Sequence, residues 1–190
     1  MAKFNIPHSR QEVLSEGVSF TPPWSRFLHE IWLRIGADKI YGLGGLVASS
    51  GATAGNVGTG EDDLLAYSVE KNTLNDVGDV LEFKAFGTFA DNTNTKSINV
   101  YFGSTLILGL TGTTSTFQAK EWSITTSIIR TGASAQRVVT DFSTFGVVFS
   151  EVTISTEDFT TALELKCTGE GTSDNDITQN GYIVKAFPVG

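Results

Sequence analysis

The residues that most often perform catalysis are few in this sequence, and they lie far apart. The chain of 190 residues contains two histidines, His8 and His29, and one cysteine, Cys167. A Ser/His/Asp or Cys/His site needs its members within hydrogen-bonding reach of one another, but both histidines belong to the N-terminal segment and Cys167 belongs to the C-terminal one. A structural zinc site needs four closely grouped ligands. The sequence therefore predicts neither nucleophilic catalysis nor a zinc site.

Paired carboxylates are the remaining route to acid–base chemistry. Asp62 with Asp63, and Glu157 with Asp158, are neighbours in the sequence. Adjacent acids are usually residues of turns, and a glycosidase needs two acids that face each other across a cleft. We therefore expect a protein that is not an enzyme and has no cofactor.

Two polar loops are rich in oxygen ligands. They read ADNTNTK at 90–96 and TSDNDIT at 172–178. Such side chains could hold Ca²⁺, although the EF-hand spacing, with its glycine and terminal glutamate, is missing; alternatively, they stabilise tight hairpin turns. Because loops on a rigid β-scaffold often carry recognition, we take as candidate receptor-facing residues Asp91, Asn92, Asn94, Asp174, Asn175 and Asp176.

The charge distribution argues against nucleic acid and membranes as partners. Residues 1–60 contain five basic and four acidic residues, giving +1, and residues 61–190 contain eight basic and seventeen acidic ones, giving −9. Nucleic acids and anionic lipids need a basic surface. The sequence also lacks the run of about 18 apolar residues that would span a bilayer and the apolar core of a signal peptide. We expect that the protein is made in a cytoplasm and is not inserted into a membrane.

From about residue 64 the apolar residues alternate with polar ones. Segments rich in β-branched and aromatic residues cover 64–70, 80–90, 96–108, 121–131, 135–144, 145–156, 161–171 and 181–189. Clusters of Gly, Asn, Asp, Ser and Thr separate them, as in antiparallel sheets. Eight strands without a helical pattern favour a mainly β fold, an antiparallel jelly-roll β-sandwich, over an immunoglobulin-like sandwich of seven.

One short amphipathic helix is predicted ahead of the strands, at about 22–35. Pro22 and Pro23 suit a first helical turn, Thr21 suits the N-cap, and Gly36 suits the residue after the helix. The helix has a continuous apolar stripe, which consists of Trp24, Phe27, Leu28, Ile31, Trp32 and Ile35. A free helix of about 14 residues is marginal in water. The stripe must therefore pack on the chain's own β-body, or against copies of itself or another protein.

The sequence between the helix and the strands predicts a linker. Residues 42–60 contain seven glycines and no charged residue, a composition typical of flexible segments. The predicted organisation is an arm and anchoring helix at 1–41, a Gly-rich linker at 42–60 and a jelly-roll domain at 61–190.

Three stretches of the predicted β-domain resemble a known structural module. They are GDVLEFKAFGTFADNTNTKSINVYFGSTLIL, WSITTSIIRTGASAQRVV and LELKCTGEGTSDNDITQNGYIVKAF. Over residues 64–189 the chain resembles the jelly-roll module of tail-fibre and other minor virion proteins of tailed bacteriophages. The N-terminal IPHSRQEVLSEGVSFTPPWSRFLHEIWLRIG is similar to short phage structural proteins with a Pro-Trp-containing helix.

The resemblance implies a virion protein, assembled in the host cytoplasm, that forms a homo-oligomer, commonly a trimer. Its partners would be other proteins of the tail, collar or capsid and a glycan or protein of the host surface. The first hypothesis is a fibre or adaptor that is anchored by the arm and helix and attaches to the host through the jelly roll. The alternative is a capsid decoration protein that stabilises the head.

Overall fold

The computed structural model describes residues 45–113, 117–145 and 147–189. The chain divides into two units, Met1–Gly42 and Leu43–Gly190, and all described residues belong to the second. Its strands are β1 Gly45–Ser50, β2 Ala54–Gly55, β3 Glu61–Val69, β4 Val80–Phe89, β5 Lys96–Phe102, β6 Thr105–Gly112, β7 Glu121–Gly132, β8 Ala135–Thr144, β9 Val147–Ser155, β10 Leu163–Glu170 and β11 Ile177–Phe187.

The strands form two antiparallel sheets. The first sheet has the order β1-β11-β4-β7-β8-β9, with the short β2 also paired to β11, and the second has the order β3-β10-β5-β6. Without the β8–β9 hairpin and β2, the sheets reduce to β1-β11-β4-β7 and β3-β10-β5-β6. This alternation of eight strands between two sheets is the double Greek key of a jelly roll, so the predicted fold class is confirmed for the described residues.

The core lies between the two sheets and follows from the alternation of the strands. In β4 and β5 every second side chain is buried, as expected for strands with one face on a core. The fully buried apolar residues include Leu81, Phe83, Ile98, Val100, Phe102, Ile124, Ile128 and Leu165. Cys167 is buried among them as a free thiol, and burial raises its pKa far above the ordinary value.

The predicted flexible linker at 42–60 is wrong for the part that the structure describes. Residues 45–50 form β1, which pairs with β11 from Gly45 opposite Ala186 to Ser50 opposite Tyr182. Asn56 is fully buried. Backbone pairing along a sheet edge orders this glycine-rich segment, although few of its side chains enter the core.

Two other features differ from the predicted strands. The segment predicted as one strand at 96–108 is the hairpin β5–β6, which turns at Gly103 with φ of 58°, a left-handed conformation that glycine adopts without strain. The hairpin β8–β9 lies outside the eight jelly-roll strands and widens the first sheet. The predicted arm and helix, with the apolar stripe Trp24, Phe27, Leu28, Ile31, Trp32 and Ile35, lie outside the described residues.

Candidate functional site

The two polar loops predicted from the sequence meet at one end of the sandwich. Their contact is centred on Asp176, which is fully buried. The side chains of Asn92 and Asn94 donate hydrogen bonds to its carboxylate, and so do the backbone N–H groups of Thr172 and Ser173, at 2.8 and 2.9 Å. Burial raises the pKa of Asp176, but these hydrogen bonds outweigh it and hold the pKa below the ordinary value.

The ammonium group of Lys96 stands where a bound cation would otherwise be expected. Lys96 is fully buried, and its Nζ donates to the side-chain oxygen of Asn92 at 2.7 Å and to the carbonyl oxygens of Asn92 and Asn94 at 3.3 Å. Burial lowers the pKa of Lys96, while the charges of Asp176 and Asp91 oppose that shift. In the described ranges, no group of three or more His, Cys, Asp or Glu side chains is arranged to hold a metal ion.

The candidate receptor-facing residues therefore fall into two groups. Asp176 is buried, so the prediction that it faces a receptor is wrong; Asn92 and Asn94 are half-buried and hydrogen-bonded within the loop pair. Asp91, Asp174 and Asn175 remain exposed. Asp176, Asn92 and Asn94 hold the loops together. The three exposed residues form the outer surface of the loops.

A third segment completes this end of the sandwich. The side chain of Asn56 donates to the carbonyl of Ser173 at 3.0 Å and accepts from the N–H of Ile177 at 2.9 Å. The N–H of Gly58 donates to Asp174 at 2.7 Å. Sequence patterning does not indicate this contact, because the composition around Asn56 predicts a linker.

The outer face of the first sheet forms a shallow, open depression below these loops. Its lining includes Lys84, Phe86, Ser123, Ser143, Phe145 and Asn180, and we call this surface the Phe86 face. The side chain of Gln118, also part of the lining, donates to Asp91 at 2.7 Å. The depression is therefore continuous with the exposed surface of the loop at 90–96.

Small neighbours expose the ring of Phe86. Its cross-strand partners are Gly181 on β11 and Ser123 on β7. A Cβ atom at Gly181 would lie 2.9 Å from Cζ of Phe86, so the ring lies over this glycine. Gly181 also has φ of 152°, a conformation that other residues rarely adopt. The result is a half-buried ring against the sheet, with hydroxyl, amide and ammonium groups around it.

The Phe86 face contains a second aromatic ring, that of Phe145. Phe145 follows β8 directly, at the turn into β9, and its side chain is 84% exposed. An exposed phenyl group loses the free energy that its burial would provide. Sequence patterning missed the residue, because 145–156 is predicted as a strand and an aromatic residue in a strand predicts core rather than surface.

The outer face of the second sheet carries an internally bonded polar cluster. The Oε1 atom of Glu61 accepts hydrogen bonds from Thr168, from Asn99 at 2.8 Å and from Tyr101 at 3.1 Å. These bonds, with that from Thr168 first, lower the pKa of Glu61. The cluster lines a smaller depression, but one oxygen of its carboxylate is already taken by three donors of the same chain.

The carboxylate pairs of the sequence have separate structural partners. Asp62 accepts from the N–H of Val57 at 2.7 Å, and Asp63 lies 2.8 Å from Nζ of Lys166. Asp158 accepts from the N–H and hydroxyl of Thr160 at 2.9 and 2.8 Å.

Glu157 caps the β5–β6 turn. It accepts from the N–H and hydroxyl of Ser104, both at 2.9 Å. All four acids thus have partners within the chain that explain their positions.

In the part of the chain that the structure describes, no helix is long and apolar enough to cross a membrane.

Comparisons with known proteins give weak similarities. No family model matches the chain, and no curated protein matches its sequence. One similar solved structure is the CBM2 module of the evolved Dit of Lactobacillus casei BL23 phage J-1, with 11% identity, a TM-score of 0.33 and coverage of 66% of this chain and 69% of that one. Another is a protein of unknown function from Shewanella oneidensis MR-1, with 12% identity, a TM-score of 0.32 and coverage of 75% and 78%. Similarities of this size identify neither a family nor a function.

Proposed function

We propose that this chain is a structural protein of a bacteriophage particle, a fibre or adaptor component that attaches the particle to the host surface. In this proposal residues 1–41 anchor the chain to other virion proteins through the apolar stripe, and the jelly roll is displayed outward. The resemblance of residues 64–189 to the phage jelly-roll module supports the virion assignment, together with the double Greek-key order of the strands. The homotrimer that the resemblance implies belongs to the same proposal.

The observation that carries the attachment role is the exposed aromatic surface of the Phe86 face. Phe145 is 84% exposed, and Phe86 lies against Gly181 with part of its ring open to solvent. Aromatic rings bury large areas with little loss of side-chain entropy, which makes them effective in recognition. Two such rings in an open depression, beside Lys84 and Asn180, have no role in the core.

The chemistry of this surface fits a glycan chain of the host envelope. A pyranose ring presents C–H groups on its faces, which pack on aromatic rings, and hydroxyl groups at its rim, which bind amides, hydroxyls and ammonium groups. The Phe86 face offers both kinds of partner. The face is open rather than enclosed, as suits a section of a long polymer rather than a small molecule that is held on all sides.

A glycan array of bacterial surface polysaccharides, probed with the full chain, tests this proposal. Phe86→Ala and Phe145→Ala should each weaken binding by about tenfold or more, which corresponds to about 1.4 kcal/mol. Phe187→Ala is the matched control, because Phe187 is 40% exposed on the same face of the sheet at the other end of β11. Equal binding by all three variants would rule out the Phe86 face as the glycan site. No binding by the wild type, together with hundreds of copies on the particle head, would favour the decoration role instead.

A further inference from the structure

The β9 strand leaves an apolar edge on the first sheet. Beyond the eight jelly-roll strands, the β8–β9 hairpin extends this sheet, and β9 is its last strand. Val148, Phe149, Val152 and Ile154 are 78%, 43%, 62% and 72% exposed. These residues lie on both faces of the strand, and we call them the β9 edge.

The other sheet edges carry irregularities that discourage pairing with another chain. The edge strands β1, β3 and β6 each have a register shift relative to their neighbour, at Leu46/Ala48, Lys166/Thr168 and Val100/Tyr101. Bulges of this kind protect edges from pairing. In contrast, β9 pairs with β8 without a shift from Val147 to Ser155, and its sequence VVFSEVTIS contains no lysine or proline.

We propose that the β9 edge pairs with β9 of a second copy of this chain. An antiparallel, two-fold arrangement places Ser150 opposite Ser150 of the other copy and Val148 opposite Val152, so both copies use the same surface. Glu151, the charged residue of β9, then lies opposite Phe149. Like charges do not face each other in this register, whereas the next two-fold register, shifted by two residues, would place Glu151 opposite itself.

The balance of charge and area favours a copy of the same chain as the occupant. The chain has a net charge of −8, which keeps copies apart over most surfaces, but β9 carries a single charge. Covering the β9 edge on two copies removes on the order of 1,000 Å² from water, near the lower limit for a specific interface. Backbone hydrogen bonds between the two β9 strands add to this area, as in recognition by strand addition.

The first test compares the mass of the full chain in solution with that of Val152→Lys by analytical ultracentrifugation. A lysine on β9 is a common protection of natural edges. With the proposed homotrimer, β9 pairing joins two trimers into six chains, so the variant should have half the mass of the wild type. Val77→Lys is the matched control, because Val77 is 63% exposed in a loop, and it should keep the wild-type mass. Equal masses for the wild type and Val152→Lys, with unchanged circular dichroism, would overturn the proposal.

The second test reports the register directly. Opposite residues of antiparallel strands have Cα atoms about 4.5–5.5 Å apart, within the range of a disulfide. Ser150→Cys should therefore form a disulfide-linked dimer under mild oxidation, and the buried Cys167 should not interfere. Thr153→Cys, which has no cysteine opposite it in this register, is the control. A Ser150→Cys protein that stays uncrosslinked, or that crosslinks no faster than Thr153→Cys, would contradict the two-fold pairing. Coverage of β9 by another segment of the same chain would also contradict it.

Discussion

At the residue scale, the polar loops are built as an internal hydrogen-bond network rather than as an open ligand set. The sequence singled out both loops, but it could not show that Asp176 is buried beneath Asn92 and Asn94. Nor could it show that Lys96 supplies the positive charge between the loops, because a lysine in a polar stretch normally predicts a solvated side chain. Which residues of a loop point outward depends on contacts between segments that are distant in the sequence.

The role assigned to Asp176 predicts an acid-dependent loss of stability. Asp176→Asn should lower the free energy of unfolding at pH 7 by about 2 kcal/mol, because an amide cannot accept all the hydrogen bonds that converge on the carboxylate. The folded-state pKa of Asp176 is below its ordinary value, so this stabilisation is fully present above about pH 4 and is lost as the pH falls toward the folded-state pKa.

Urea denaturation at pH 7 and pH 3 measures both parts of this prediction. The difference between wild type and Asp176→Asn should shrink at pH 3. Asp141→Asn, a substitution of an exposed acid on β8, serves as the control and should change stability little at either pH. A difference for Asp176→Asn that is the same at both pH values would rule out the carboxylate as its source.

At the scale of elements, the periodicity of two identified most strands because side chains on one face of each strand are buried. It failed for β1, where residues 45–50 have no fully buried side chain and the pattern that signals a strand is absent. It also failed to divide β5 from β6, because the turn at Gly103 is short and both neighbouring runs are apolar. Edge pairing and tight turns are defined by backbone contacts, which a hydrophobic pattern does not record.

The position of β1 predicts where the folded unit begins. A fragment of residues 43–190 should give a cooperative thermal transition with the far-ultraviolet spectrum of a β-protein. A fragment of residues 61–190 should be much less stable, since it lacks β1, β2 and Asn56, whose side chain joins the loop at 172–178. Circular dichroism of both fragments checks this, and equal melting temperatures would show that β1 contributes nothing to the fold.

A glycine in β4 provides a second prediction at this scale. A Cβ atom on Gly87 would overlap the carbonyl oxygen of Thr178 and lie 2.5 Å from Cζ2 of Trp122. Gly87→Ala should therefore lower the free energy of unfolding by about 3 kcal/mol, as for other overpacked cores. Gly51→Ala is the control, because a Cβ atom there meets nothing within 4 Å; a similar loss for both variants, measured by denaturation, would contradict the packing argument.

At the scale of the whole molecule, we propose that residues 1–41 anchor the chain and that the jelly roll is displayed. Replacing Trp24 and Trp32 with Ser should weaken docking on the particle by roughly 3 kcal/mol or more, over 100-fold in affinity, because large aromatic side chains dominate such contacts. The melting temperature of the jelly roll should hardly change. The copy number per purified particle and the thermal transition of the same double variant measure both effects, and normal incorporation of that variant would end the anchoring hypothesis.

Attachment of the particle to its host through the Phe86 face can be measured by competition for adsorption. Host cells are incubated with an excess of the purified full chain before particles are added, and the rate of particle adsorption is measured. We expect that the wild-type chain slows adsorption, that the double variant Phe86→Ala, Phe145→Ala loses most of this inhibition, and that Phe187→Ala retains it. Equal inhibition by the wild type and the double variant, or unchanged adsorption at saturating wild-type chain, would rule out attachment through this face.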